Sequence, residues 1–289
     1  MTTNKYSICA THYNNKEFIR DSAGVFADLI ADRQEWELVV TDAGSTDGSL
    51  AYLQQLANNQ ENVRVMVKQG INIGEGRRLA ADAANGEILV QVMDLDAEYY
   101  DDERLFEIMK YYEQLLENEG EVMLSAGVNF CTASLLKELG GWKDLIACEE
   151  TEIKRRALRE GKLRFCPLEF FEVNAGLSKN LRDGVERFYH NASAKFQAGV
   201  GFWYMLYYWL RYAPGIRPKL GAVVVFPIAY YNARSADRQV GGSYDKHDPY
   251  IMGFKSTVYK HHPEFWIEVP DHLEEYAAED ERRSFLNQA

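Results

Sequence analysis

Four apolar runs, Lys5–Ala10, Trp36–Thr41, Asn62–Val67 and Glu87–Met93, recur along the first part of the chain. Helix-like stretches separate them at Glu17–Ala31, Asp47–Asn58 and Glu75–Ala84. Short continuous runs bounded by polar residues read as strands buried on both faces. The β-α-β-α-β-α-β order then predicts a parallel sheet with right-handed crossovers. All the turns that follow these strands fall on one edge of such a sheet, where open α/β folds bind ligands. After Asp96 the pattern continues with a helix over Asp101–Leu116 and a strand over Val122–Phe130. Helical pieces at Ala133–Leu139 and Glu149–Glu160 follow, with small strands at Leu163–Phe165 and Glu169–Val173. A boundary near Asn174-Ala175-Gly176 divides an α/β domain, 1–176, from a helical C-terminal region, 177–289.

The strand-end turns carry the chemistry. Asp94-Leu95-Asp96 closes the fourth run, and two carboxylates there suit a hard divalent cation that also bridges to substrate phosphates. Thr11-His12-Tyr13-Asn14 closes the first; its aromatic can stack on a base or ribose, and Asn14 can cap the next helix. The second ends in Thr41-Asp42-Ala43-Gly44-Ser45-Thr46-Asp47-Gly48-Ser49. Its glycines permit close backbone approach to a ligand, and Asp42 can accept a hydrogen bond from a nucleobase or ribose. The third connection, Gln69 to Arg78, sets glycines beside Arg77 and Arg78 at a helix start, which favours a phosphate or a base edge. It lacks the G-x-x-x-x-G-K-[ST] of a P-loop. Taken singly, each motif also has a plain reading as solvated acids, turn and cap chemistry, or solvated arginines.

Composition narrows the class. A net charge of -12 with no dominant Lys/Arg cluster argues against general nucleic-acid binding. Cys9, Cys131, Cys148 and Cys166 form no C-x-x-C pair, which points to reduced thiols in a cytoplasmic protein. The N-terminus shows no apolar h-region of a secretory signal.

The order of these motifs resembles that of family 2 glycosyltransferases of the GT-A fold. The matching strings are Tyr13-Asn14, Asp42 to Ser49, Asn72-Ile73-Gly74-Glu75-Gly76, Ala84-Asn85-Gly86-Glu87-Ile88 and Asp94-Leu95-Asp96. Downstream, Gly140-Gly141-Trp142 and Glu149-Glu150-Thr151-Glu152 look like the family's G-G-F and E-D segments, so the resemblance covers about residues 5–173. It implies a UDP- or GDP-linked sugar donor bound with Mn²⁺ or Mg²⁺. Tyr13, Asn14, Asp42 and Gly74 would then belong to the donor site, with Arg77 or Arg78 on base or phosphate. Asp94 would contact ribose or sugar and share the metal held by Asp96. Glu150, beside Glu149, would be the base of an inverting displacement, its pKa helped upward by the neighbouring charge. Three departures stand out: no proline precedes the first motif, Ala43 replaces a second acid, and Glu149-Glu150 stands for E-D. The Q-x-x-R-W of processive members is missing, so a single transfer is expected, onto a lipid-linked or glycan acceptor as in the related polyprenyl-phosphate sugar synthases. A nucleotidyltransferase and a catalytically silent nucleotide-sugar-binding subunit are the competing readings.

The C-terminal region reads differently. Leu181–Tyr212 is helical in pattern and dense in aromatics, with 15 uncharged residues between Lys195 and Arg211 and 14 more from Leu220 to Ala233. A bilayer-crossing helix needs about 20 apolar residues, so neither stretch spans. Two readings stay open for 196–233. In one, these helices lie peripherally on the cytoplasmic face of a membrane, with Arg182, Arg187, Arg211, Arg217 and Lys219 at the headgroups. In the other, they cover the acceptor cleft or form a homodimer contact. The last residues, with Gly241-Gly242, read as a polar tail in which His247, His261 and His262 complete a metal site or stand as surface histidines.

Overall fold

The computed structural model describes residues 4–147, 149–172, 181–197, 199–213, 215–235 and 265–278. Cys148, the boundary at Asn174–Gly176, Gly241-Gly242 and His247, His261 and His262 lie outside the described residues.

Strands β1 (Tyr6–His12), β2 (Trp36–Asp42), β3 (Val63–Val67) and β4 (Ile88–Asp94) pair in parallel. Between them run α1 (Val25–Ile30), entered through a π-turn at Arg20–Gly24, α2 (Ser49–Asn59) and α3 (Ile73–Ala83). This is the expected alternation, and Ile8, Leu38, Val39, Val40 and Val90 are wholly buried in it. A short β5 (Glu98–Tyr99) and helix α4 (Arg104–Glu119) lead to β6 (Met123–Ala126) and β7 (Val128–Thr132). After α5 (Ala133–Glu138) and α6 (Glu149–Arg159) come β8 (Leu163–Phe165) and β9 (Phe171–Glu172), the last pairing with β5. The sheet order is β3-β2-β1-β4-β7-β6-β8, parallel except where β7 meets β4 and β6.

Apolar layers cover both faces. Phe26, Ile30, Tyr112 and Phe130 fill one core; Cys9, Ala80, Leu89, Leu135, Trp142 and Ile153 fill the other. At the amino end of the strands, the buried Glu37 accepts hydrogen bonds from Ser7 Oγ (2.6 Å), Asn85 N–H (2.6 Å) and Arg64 (2.8 Å). Those bonds fix the edge opposite the strand-end turns.

Three differences from the sequence reading have physical causes. Val122–Phe130 is a hairpin and not one strand: the chain reverses at Gly127, whose φ of 75° suits glycine, and a Cβ there would lie 2.7 Å from the Leu168 carbonyl oxygen. The long helix expected over Leu181–Tyr212 is two, α7 (Leu181–Gln197) and α8 (Phe202–Tyr212), divided where Gly199 takes a φ of 99°. Finally, residues 265–278 return to the sheet and its first core. Ile267 N–H donates to Phe165 O (2.7 Å), Ala278 N–H donates to Pro167 O (2.8 Å), and Leu273 is buried in the first core.

Helices α7 and α8 pack with α9 (Ile216–Ser235) around Ala192, Phe196, Met205, Ala222 and Phe226, joined by Leu145 from the connection between α5 and α6. Phe188 meets Trp209 edge-on at 4.9 Å and stacks with Phe226 at 5.4 Å. Among the described residues, no helix is long and apolar enough to cross a membrane.

Candidate functional site

A cleft of about 640 Å³ opens where β1, β2 and β4 end. Its walls are Thr11 to Asn15, Thr41 and Ala43, Gly70 to Ile73 with Gly76, and Leu95 with Asp96. All four strand-end segments singled out by the sequence therefore meet at one place.

The first two turns are locked together by side-chain to backbone hydrogen bonds. Asp42, fully buried, accepts from Gly44 N–H (2.8 Å), Ser45 N–H (2.7 Å) and Ser45 Oγ (2.7 Å). Ser45 Oγ in turn accepts from Asn14 N–H (2.9 Å), and Asn14 Oδ1 accepts from Thr46 N–H (2.7 Å). Asn14 thus clamps the neighbouring turn and does not cap the helix after it. Its φ of 47° is a left-handed conformation that asparagine tolerates better than most residues. Tyr13, held next to it, is 61% exposed and lines the cleft. Asp47 accepts from Ser49 Oγ (2.5 Å), Ser49 N–H (3.0 Å) and Lys16 N–H (2.8 Å), and the Ser49 hydroxyl holds its carboxyl down to about 2. Asp42 itself does not line the cleft; Thr41 and Ala43 do.

The third turn is set by Asn72, whose side-chain oxygen caps α3 by accepting from Glu75 N–H (2.8 Å). Gly74 serves packing: its N–H donates to Leu145 O (3.0 Å), and a Cβ there would lie 2.2 Å from Lys143 O. Gly76 lines the cleft, with room for a Cβ removed by Thr11 Cγ2 at 2.9 Å. The two arginines turn to protein partners. Arg77 is buried, pairs with Glu149 (3.2 Å) and lies 5.4 Å from the Trp142 ring centre. Arg78 pairs with Asp144 (3.1 Å) and Asp82 (3.4 Å).

Asp96 is exposed and is the one carboxylate on the cleft wall among the described residues. Asp94 ends β4 opposite Thr11, and its side chain lies outside the described residues. His12, for which the sequence suggests no role, shares this wall. It is 5% exposed, and its Nε2 has no hydrogen-bond partner among the described residues. Burial lowers its pKa below the ordinary 6.5, against the pull of Asp42, Asp47 and Asp96. Among the described residues, no three His, Cys, Asp or Glu side chains converge on a metal site. One or two carboxylates fit Mg²⁺ or Mn²⁺ when substrate phosphates and water supply the remaining oxygens.

The acids after Gly140-Gly141-Trp142 have separate fates. Glu149 is buried against Arg77, whereas Glu150 is half-buried and accepts from Lys154 Nζ one helical turn on. Trp142 donates its indole N–H to Gln91 Oε1 in β4, and Arg156 of α6 donates to Gly141 O (2.7 Å). These contacts tie the loop before α6 to the central strand and to the later turns of α6.

Residues 7–117 match glycosyl transferase family 2. A poly(ribitol-phosphate) beta-glucosyltransferase of Bacillus spizizenii is 27% identical over 175 residues, 56% of this chain. That alignment takes in 27% of the relative, so the chain spans about a quarter of the curated relative's length. Residues 1–349 of S. aureus TarS superpose with a TM-score of 0.47 at 14% identity, over 84% of this chain and 95% of that one. A mannosyltransferase from Pyrobaculum calidifontis, solved with GDP-Man and Mn²⁺, gives 0.49 at 16% identity, over 80% and 73%.

Proposed function

We propose, from the match of residues 7–117 to glycosyl transferase family 2, that this chain moves one sugar from a nucleoside-diphosphate donor to an acceptor hydroxyl. One observation carries the reading: every residue lining the cleft lies inside the family segment. The donor's nucleoside lies against Tyr13, in the space framed by the two turns that Asn14, Ser45 and Asp42 lock together. The diphosphate lies toward Gly76 and Asp96, where glycine permits close approach. Mg²⁺ or Mn²⁺ held by Asp96, with Asp94 of the same strand end, would neutralise charge developing on the leaving diphosphate.

The acceptor oxygen attacks the anomeric carbon as the bond to the diphosphate breaks, so configuration inverts. Glu150 is the base that takes the acceptor proton. Its support is positional: it stands in the first turn of α6, a helix whose later turns are tied to β4 through Arg156 and the loop carrying Trp142, and it keeps one side toward solvent. Glu149, already committed to Arg77, acts as a positioning residue. The acceptor class is a hydroxyl on a lipid-linked carrier or glycan.

A thermal-shift panel of UDP-, GDP- and dTDP-sugars with and without Mn²⁺ tests this. A donor at 100 times its Kd stabilises by about 2.7 kcal/mol. Stabilisation by one nucleotide class, strengthened by Mn²⁺ and followed by release of that nucleoside diphosphate, is the expected result. A melting temperature that no donor raises overturns the reading.

A further inference from the structure

Helix α9 carries two apolar faces. Ala222, Phe226, Ala229 and Ala233 are buried against the other helices. On the opposite side Ile216, Leu220, Val223, Val224, Ile228 and Tyr231 face solvent, between 49% and 77% exposed. Their spacing marks a single stripe, and fifteen residues of rise make it about 22 Å long. Trp203 and Tyr207 of α8, 78% and 62% exposed, add aromatic rings to the exposed surface. A helix apolar all round belongs in a buried setting. Here only half of that setting is supplied by the chain itself.

Charge indicates what supplies the other half. From Arg187 to Ala236 the sequence contains no Asp or Glu, while Arg187, Lys195, Arg211, Arg217, Lys219 and Arg234 are all present. These six positives sit in a chain of net charge -12, so the rest of the sequence carries -18. Arg217 and Arg234, both exposed, lie near the two ends of the stripe. A second copy of the chain would bring one basic segment against another. An anionic lipid surface complements both features: basic side chains meet headgroups, Trp and Tyr favour the interface, and the apolar stripe enters the acyl boundary.

We propose that the outer face of α8 and α9 docks in the plane of an anionic membrane surface without crossing it. The proposal is independent of the transfer reaction, and so is its test. The full chain is floated with vesicles of phosphatidylcholine alone or of phosphatidylcholine mixed with phosphatidylglycerol. The expected result is strong flotation with the mixed vesicles, weak flotation with phosphatidylcholine, and release by salt. Arg217→Ala and Lys219→Ala should each weaken binding about fivefold. The double variant Val224→Glu/Ile228→Glu, at solvent-facing positions, should abolish it while far-ultraviolet circular dichroism and melting temperature stay near the parent. Absence of flotation with mixed vesicles overturns the proposal, as does a double variant that floats like the parent. A parent that ignores vesicles but sediments as a dimer, with the double variant monomeric, makes the face a homodimer contact and also overturns it.

Discussion

Arg77 and Glu149 form a buried ion pair, Nη2 to Oε1 at 3.2 Å, that joins the first turns of α3 to the start of α6. Both charges are removed from solvent, so neither is tolerated alone. Breaking such a pair from one side typically costs about 3–5 kcal/mol, whereas replacing both partners with apolar groups is often neutral. Arg77→Ala or Glu149→Ala should lower urea-unfolding stability by that amount, and Arg77→Met/Glu149→Leu should recover most of it. Full stability in either single variant would show that the pair contributes little.

Glu150, one residue further on, predicts a kinetic effect and not a stability effect. Glu150→Gln should reduce turnover by about 10²–10⁴-fold, the usual worth of a general base, with donor binding nearly unchanged. Calorimetric titration of the donor beside a transfer assay separates the two. Parental turnover in Glu150→Gln would remove it from the chemistry.

Asp96 presents its carboxylate to the cleft and is exposed, so its loss should spare the fold. Asp96→Asn should abolish the Mn²⁺-dependent part of UDP or GDP binding in calorimetry and leave the melting temperature within a degree or two of the parent. Binding that still strengthens with Mn²⁺ would place the cation elsewhere.

His12 gives a pH dependence with a definite sign. Its folded pKa lies below 6.5, so between 6.5 and that lower value the unfolded chain binds a proton that the folded chain resists. Stability is therefore unaffected above pH 6.5 and falls as pH drops through the window, by at most about 1.4 kcal/mol per pH unit. Denaturation midpoints from pH 7.5 to 5 should show this slope, and His12→Gln should flatten it. An equal slope in the variant would assign the acid sensitivity to other groups.

Gly74 should not accept a side chain. With a Cβ only 2.2 Å from Lys143 O, Gly74→Ala must displace the loop before α6, at about 1–3 kcal/mol for overpacking. Chemical denaturation measures this, and a neutral substitution would show that the loop yields freely.

The parallel strands were legible because each is a continuous apolar run with a polar stop, a pattern that local composition alone can carry. The cleft was legible because its walls are the four turns that such a topology must bring together. The arginines were not. Arg77 and Arg78 look like phosphate ligands in sequence because their partners, Glu149 and Asp144, lie far along the chain and only the packing of α3 against the later loop reveals them. The hairpin at Gly127 escaped for a related reason. Its flanks, Met123–Ala126 and Val128–Thr132, are both apolar and buried, so the run continues unbroken through the reversal. His12 offered no periodic or charge signal. Its lowered pKa follows from burial beside the cleft, which sequence does not show.

The return of residues 265–278 to the first core orders events during synthesis. Leu273 is wholly buried there, and Ala278 closes a backbone bond to Pro167. Every residue lining the cleft has been polymerised once Asp96 is made, yet the layer that includes Leu273 waits for most of the remaining chain. The α/β half therefore leaves the ribosome incomplete, holding an open apolar seat that the last described segment fills. That seat stays open until Leu273 itself has been made.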